Sequence, residues 1–230
     1  MRTKNQILKI KKTHSSPFVI KDILIDPKEY LNYYFDNQHK HVKKNTGPIV
    51  LKIEKNNKLL QYLTQNLQNK IGSFTVRYAH IFDVTIPHII HVDDTYEYLD
   101  CYKAFTIPLK LYGNSDDVKL VIFDQYYYHG PAKFYNGDNI STRKVYYNKS
   151  VNNYKYVSFK SKQSICENIY KKHLTHCKKS WLNNLSIDTL LDWKIGNILC
   201  FDSLQLHCSS NFLLQNITRK IALSIFTVKE

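Results

Sequence analysis

Seven short runs rich in apolar, aromatic and β-branched residues constrain this chain more than any other feature. Four come in quick succession: FTVRYAHIFDV (74–84), IPHIIHV (86–92), YKAFTIPLKLY (102–112) and VKLVIFDQYYY (118–128). Three more close the chain: GNILCFDS (196–203), LQLHCSS (204–210) and RKIALSIFTV (219–228). Each is too short for a helix that spans a domain and has the composition of a strand. Gly113-Asn114-Ser115-Asp116 makes a turn between two of them. Many short strands with a few helices predict a distorted β-barrel or sandwich covered by helices.

The remaining segments supply that cover. Leu59, Leu60, Leu63 and Leu67 recur at helical spacing, so about 55–70 is read as an amphipathic helix. Ile165, Ile169, Leu174 and Cys177 predict a second helix over about 165–178, and a short third one is expected after Ser186, with Asp188 in its first turn. At 230 residues the chain is expected to form one domain. Residues 1–73 form a basic lead-in and packing helix. Residues 74–228 form the strand-rich body, with an insertion at about 131–190.

Composition narrows the function class. The net charge is +14, from 29 Lys and only 4 Arg against 19 acidic residues. Such a surface attracts phosphates whatever its purpose, and the basic residues are scattered instead of forming a stripe. Nucleic acid is therefore the less favoured partner. The five cysteines are odd in number and contain no CxxC pair, which fits reduced thiols. No signal peptide and no run of ~20 apolar residues is present; a cytoplasmic protein without membrane attachment is expected.

One constellation carries chemistry. His91 and Asp93 are two residues apart in a strand-like segment, so both side chains project to one side. His207 lies in the sixth strand-like run and Arg219 opens the seventh. Two imidazoles and one carboxylate suit Fe(II) and leave three coordination positions open. The other reading of His91 is a polar strand residue with no metal role. A guanidinium grips a carboxylate bidentately, so Arg219 is read as an anion anchor, with Lys220 on the opposite strand face as the fallback. A surface arginine at a strand start is the alternative.

HVD, Trp193-x-x-Gly196, FDS, LHCSSN and RKIALSIF together resemble the 2-oxoglutarate- and Fe(II)-dependent oxygenases. The tail is similar to the phytanoyl-CoA-hydroxylase-like branch and to small oxygenases of marine bacteria and viruses. The resemblance covers about residues 74–228. It implies a mainly β double-stranded β-helix (a jelly roll, cupin-like) with flanking helices. It also implies that His91, Asp93 and His207 bind Fe(II), that Arg219 binds the distal carboxylate of 2-oxoglutarate, and that O2 is the oxidant. Thr106 or Tyr78, on strands beside the motif, would bond a 2-oxoglutarate carboxylate or simply pack the barrel. The substrate would be a small molecule or a protein-bound group.

Three alternatives stay open: a nucleic-acid demethylase or hydroxylase on the same fold, a cupin-like metal protein without 2-oxoglutarate, and a non-catalytic barrel. Tyr126-Tyr127-Tyr128 before His129 is read as either a substrate mouth or an aromatic rim. His173-Leu174-Thr175-His176-Cys177 resembles a metal tract, but no further ligand lies nearby in sequence, so it is read as packing. Trp181 and Trp193 are read as core anchors.

Overall fold

The computed structural model describes residues 15–43, 47–93, 101–127, 145–148, 153–156, 165–183 and 185–230. Its strands are β1 (Phe18–Ile20), β2 (Val42–Lys43), β3 (Ile49–Ile53), β4 (Phe74–Val84), β5 (Cys101–Tyr112), β6 (Lys119–Tyr127), β7 (Val145–Asn148), β8 (Asn153–Tyr156), β9 (Ile187–Asp192), β10 (Ile198–Asp202), β11 (Gln205–Ser209) and β12 (Arg219–Lys229). A seven-stranded sheet has the order β1-β10-β5-β12-β4-β3-β2. A second sheet runs β11-β6-β7-β8, with β9 also on β6. Every pairing is antiparallel. The architecture is the expected double-stranded β-helix.

Three apolar clusters fill the layers. Between the sheets lie Ala104, Ile122, Trp193, Phe201, Phe212 and Phe226. Helices α1 (Pro27–Asp36) and α2 (Lys58–Ile71) cover the outside of the large sheet. The segment around Leu174, Cys177 and Trp181 covers the outside of the small one. The two tryptophans are buried core anchors, as expected. No helix among the described residues is long and apolar enough to cross a membrane.

Helix α2 follows the leucine pattern. Asn57 caps it by accepting from the Leu59 and Leu60 amides at 3.0 and 3.3 Å, and Leu60, Leu63 and Leu67 are buried. Helix α1 is absent from the sequence reading, which took this region as extended lead-in. Its signal is local: Asp26 caps the Lys28 amide at 2.9 Å and Pro27 opens the first turn. Its buried face is Tyr30 and Tyr34, amphipathic residues that a search for aliphatic periodicity passes over.

One expectation fails. The segment after Ser186 is strand β9, paired with β6, and not a helix; Asp188 is the second residue of that strand. The helix expected near 165–178 is present but shorter, Glu167–Ile169 continuing as a π-helix over Tyr170–Leu174, and Ile165, Ile169, Leu174 and Cys177 pack together as expected. Strand β5 contains Pro108 yet lies between β10 and β12. A proline cannot donate to a ladder, and the register shifts opposite it, between Ile221 and Ala222.

Gly113 closes the turn after β5 with φ +133°, and an added Cβ would sit 2.1 Å from the Asn216 carbonyl oxygen. Gly113→Ala should therefore cost about 1–3 kcal/mol and lower the melting temperature by several degrees. A thermal melt of the two proteins measures this, and an unchanged midpoint would contradict the assigned turn.

Candidate metal centre

The strand-like 86–92 run is mostly irregular, but His91 makes one antiparallel bridge, and its partner is His207. Each backbone amide donates to the other's carbonyl at 2.9 Å. That bridge brings together residues far apart in sequence. Two residues on, the Asp93 amide donates to the Ser203 carbonyl at 3.1 Å. The spacing of two then places the carboxylate on the histidines: Asp93 Oδ1 is 3.5 Å from His91 Nε2 and Oδ2 is 3.3 Å from His207 Nε2. One donor atom from each of the three side chains lies within 4.8 Å of the others.

The tautomers are fixed from behind. His91 Nδ1 lies 2.7 Å from the Ile89 carbonyl and His207 Nδ1 lies 2.9 Å from the Gln205 carbonyl. A carbonyl only accepts, so each Nδ1 carries the hydrogen, and in the neutral rings each bare Nε2 faces Asp93. This is how metal-binding imidazoles are oriented. Burial works against the Asp93 charge, but His207 and then His91 outweigh it and hold the carboxyl well below the usual carboxylate range. Burial, reinforced by His207, lowers the His91 pKa. Burial also opposes charge on His207, yet Asp93 raises its pKa. A charged carboxylate facing two imidazoles is a donor set that suits a divalent cation.

The structure does not bring Arg219 to this centre. Its guanidinium holds Asp83 through Nε at 2.8 Å and Nη2 at 2.5 Å, and Tyr34 of α1 donates to the same carboxylate at 2.9 Å. All three lie on the helix-covered side of the large sheet. Neighbouring strand residues face opposite ways, so Lys220 points into the barrel. There its ammonium donates to Ser209 Oγ at 2.8 Å and sits 4.5 Å over the Trp193 ring and 4.8 Å over Phe212. No carboxylate pairs with it among the described residues, and burial pushes it down to about 7. Ser209 follows His207 by two residues on β11, hence on the same face and about 7 Å along the strand.

Of the other expected residues, Tyr78 reaches the Asp93 segment and Thr106 lies on a barrel strand. Thr106 lies opposite Leu199 and Ser224 in the register, facing the barrel interior. The Tyr78 hydroxyl donates to the Asp93 carbonyl at 3.2 Å, and its ring stacks on Phe226 at 4.3 Å. Tyr78 thus props the segment carrying Asp93, a role the sequence did not reveal. Tyr126 is buried and donates to Asp202 at 2.7 Å, tying the two sheets together, so it lines no mouth. Tyr128 and His129 lie outside the described residues, as does the Tyr127 side chain.

Solved structures with the same fold can now be placed beside this geometry. The epimerase SnoN, solved in complex with Fe3+, alpha-ketoglutarate and nogalamycin RO, aligns with a TM-score of 0.54 at 8% identity, over 98% of this chain and 83% of SnoN. The alpha-ketoglutarate-dependent carbocyclase SnoK of nogalamycin biosynthesis gives 0.51 at 8% identity, over 99% and 84%. A prolyl-4-hydroxylase from Pseudomonas putida gives 0.50 at 7% identity, over 97% of each chain. The chain has their fold. No family model and no curated protein sequence matches, so the likeness lies in the fold and not in sequence.

Proposed function

We propose that this chain is a non-haem Fe(II)- and 2-oxoglutarate-dependent oxygenase acting on a small-molecule or protein-bound substrate. The observation that carries the reading is the pairing of two features inside one barrel: the His91-Asp93-His207 cluster, and a buried ammonium with no carboxylate partner among the described residues, held beside Ser209 two residues further along β11. An unpaired buried charge is costly, and an anionic ligand beside the metal centre removes that cost.

His91, Asp93 and His207 would hold the iron. Lys220, with Ser209 orienting it, would take the distal carboxylate of 2-oxoglutarate, the role the sequence reading gave to Arg219. Thr106 faces the same interior and is the second candidate to bond that carboxylate. Tyr78 holds the Asp93 backbone in place, and Trp193 and Phe212 keep water from the ammonium. Bound iron and 2-oxoglutarate supply the oxidation, using O2 and releasing succinate and CO2. Lys220, and not Arg219, argues against the cupin-like alternative without 2-oxoglutarate. A salt bridge already satisfies Arg219, whereas Lys220 has none among the described residues.

Succinate formation from 2-oxoglutarate, measured across amino acids, peptides, nucleosides, acyl groups and oligonucleotides, tests the reading. Succinate release that requires Fe(II) and rises with one substrate class supports it. No succinate from protein shown to hold iron refutes it. Oligonucleotides are expected to bind at low salt, as any surface of charge +14 would, without raising turnover; stimulation would favour the nucleic-acid alternative.

The Lys220 environment also sets a pH dependence. Its ammonium is charged only below about 7 in the ligand-free protein. 2-Oxoglutarate is a dianion at neutral pH, so its affinity should fall as pH rises through about 7, with proton uptake on binding. Ligand-free stability should move the other way. The unfolded chain binds more protons between about 7 and the ordinary lysine value of 10.5, so stability rises with pH across that window. Isothermal titration in buffers of different ionisation enthalpy measures the uptake. Affinity that does not change from pH 6 to 9 would remove Lys220 from the role.

A further inference from the structure

On the back of β11, directly behind His207, a second donor cluster forms. His176, Cys177 and Cys208 each aim one donor atom at the others, all within 4.8 Å. Both sulfurs are buried. His176 Nε2 lies 3.5 Å from Cys177 Sγ and 3.3 Å from the His88 carbonyl. Its Nδ1 is buried with no hydrogen-bond partner among the described residues. One nitrogen of this ring is thus hydrogen-bonded and the other is buried and unsatisfied among the described residues.

We propose that His176, Cys177 and Cys208 form a second metal site that takes zinc, separate from the His91-Asp93-His207 centre. Zinc bonds sulfur at about 2.3 Å and imidazole nitrogen at about 2.0–2.1 Å in a tetrahedron, so neighbouring donors should be about 3.5–4 Å apart. Cys177 Sγ lies 3.5 Å from His176 Nε2, and zinc bound there would replace the hydrogen that Nε2 now directs at the His88 carbonyl. Two sulfurs and a nitrogen are soft to borderline donors, unlike the oxygen-bearing first cluster, so the two sites sort different metals. Three protein ligands leave a fourth position for water. The sequence hid this site because its third ligand comes from a strand 31 residues after Cys177. The site joins three segments: the turn before His91, the segment covering the small sheet, and the strand that carries His207.

Cobalt(II) added to the metal-free, reduced full-length protein tests this, because only sulfur ligands give an intense near-ultraviolet charge-transfer band. The band is expected at one equivalent of cobalt, intact in Asp93→Ala, lost in Cys177→Ser and Cys208→Ser, and displaced by zinc. His176→Gln, at a half-buried position that should tolerate the change, should weaken zinc by more than the roughly 10- to 100-fold that removing a group behind a ligand costs. A wild-type protein with no such band overturns the proposal. So does peptide mapping that finds a Cys177–Cys208 disulfide and no zinc in the protein as purified.

Discussion

Lys220→Ala should weaken 2-oxoglutarate binding by about 30-fold to several-thousand-fold, the equivalent of about 2–5 kcal/mol for losing one partner of a buried charged contact. Iron affinity should be nearly unchanged, because the ammonium bonds Ser209 and touches none of the three cluster side chains. Lys220→Arg should restore binding only in part, since a planar fork presents its donors differently from the ammonium that now lies 4.5 Å over Trp193 and 4.8 Å over Phe212. Arg219→Ala should behave oppositely. It leaves the buried Asp83 carboxylate with the Tyr34 hydroxyl but no cation among the described residues, which costs up to about 3 kcal/mol, the low end for a broken buried pair, because Arg219 is partly exposed, and lowers the melting temperature by up to about 6–12 °C. The 2-oxoglutarate affinity of the folded variant should stay at the wild-type value. Calorimetric titration with melting curves of both variants measures the contrast. If Arg219→Ala loses 2-oxoglutarate and Lys220→Ala does not, the anchor assignment is wrong.

Asp93→Ala should abolish iron binding. The carboxylate is the one anionic donor of the cluster and faces both imidazoles. Fe(II) should weaken by more than the roughly 10- to 100-fold typical of a residue that merely supports a ligand. Turnover should fall to background, while the protein stays folded: without the carboxylate the two histidines become ordinary neutral imidazoles, still bonded to the Ile89 and Gln205 carbonyls. Equilibrium dialysis with Fe(II) and circular dichroism separate lost metal from lost fold. Near-normal iron binding in this variant would remove Asp93 from the centre.

The cluster was legible in the sequence because its logic is local. A spacing of two fixes His91 against Asp93, and strand composition places His207 in an extended segment. The anchor was not legible to within one residue. Arg219 and Lys220 are adjacent, and a one-residue change of register exchanges the two faces of a strand. Rarity drew attention to the arginine, but which residue faces inward depends on the pairing of β12 with β4 and β5, including the bulge opposite Pro108. Helix α1 was missed because its buried face is tyrosine, and β9 because IDTLLD has too few residues to show a period. The His176-Cys177-Cys208 cluster depends on a contact across the back of the small sheet, which no local pattern encodes.

Iron and 2-oxoglutarate are expected to meet inside this barrel. Anaerobic titration of the Fe(II)-loaded protein with 2-oxoglutarate, followed in the visible range, tests it most directly. A weak charge-transfer band should grow in and saturate at one equivalent, since the three-ligand cluster leaves adjacent positions for a chelate. It should need far more 2-oxoglutarate in Lys220→Ala and be absent in Asp93→Ala. Protein shown to hold one iron, yet giving no band at saturating 2-oxoglutarate, would contradict the account.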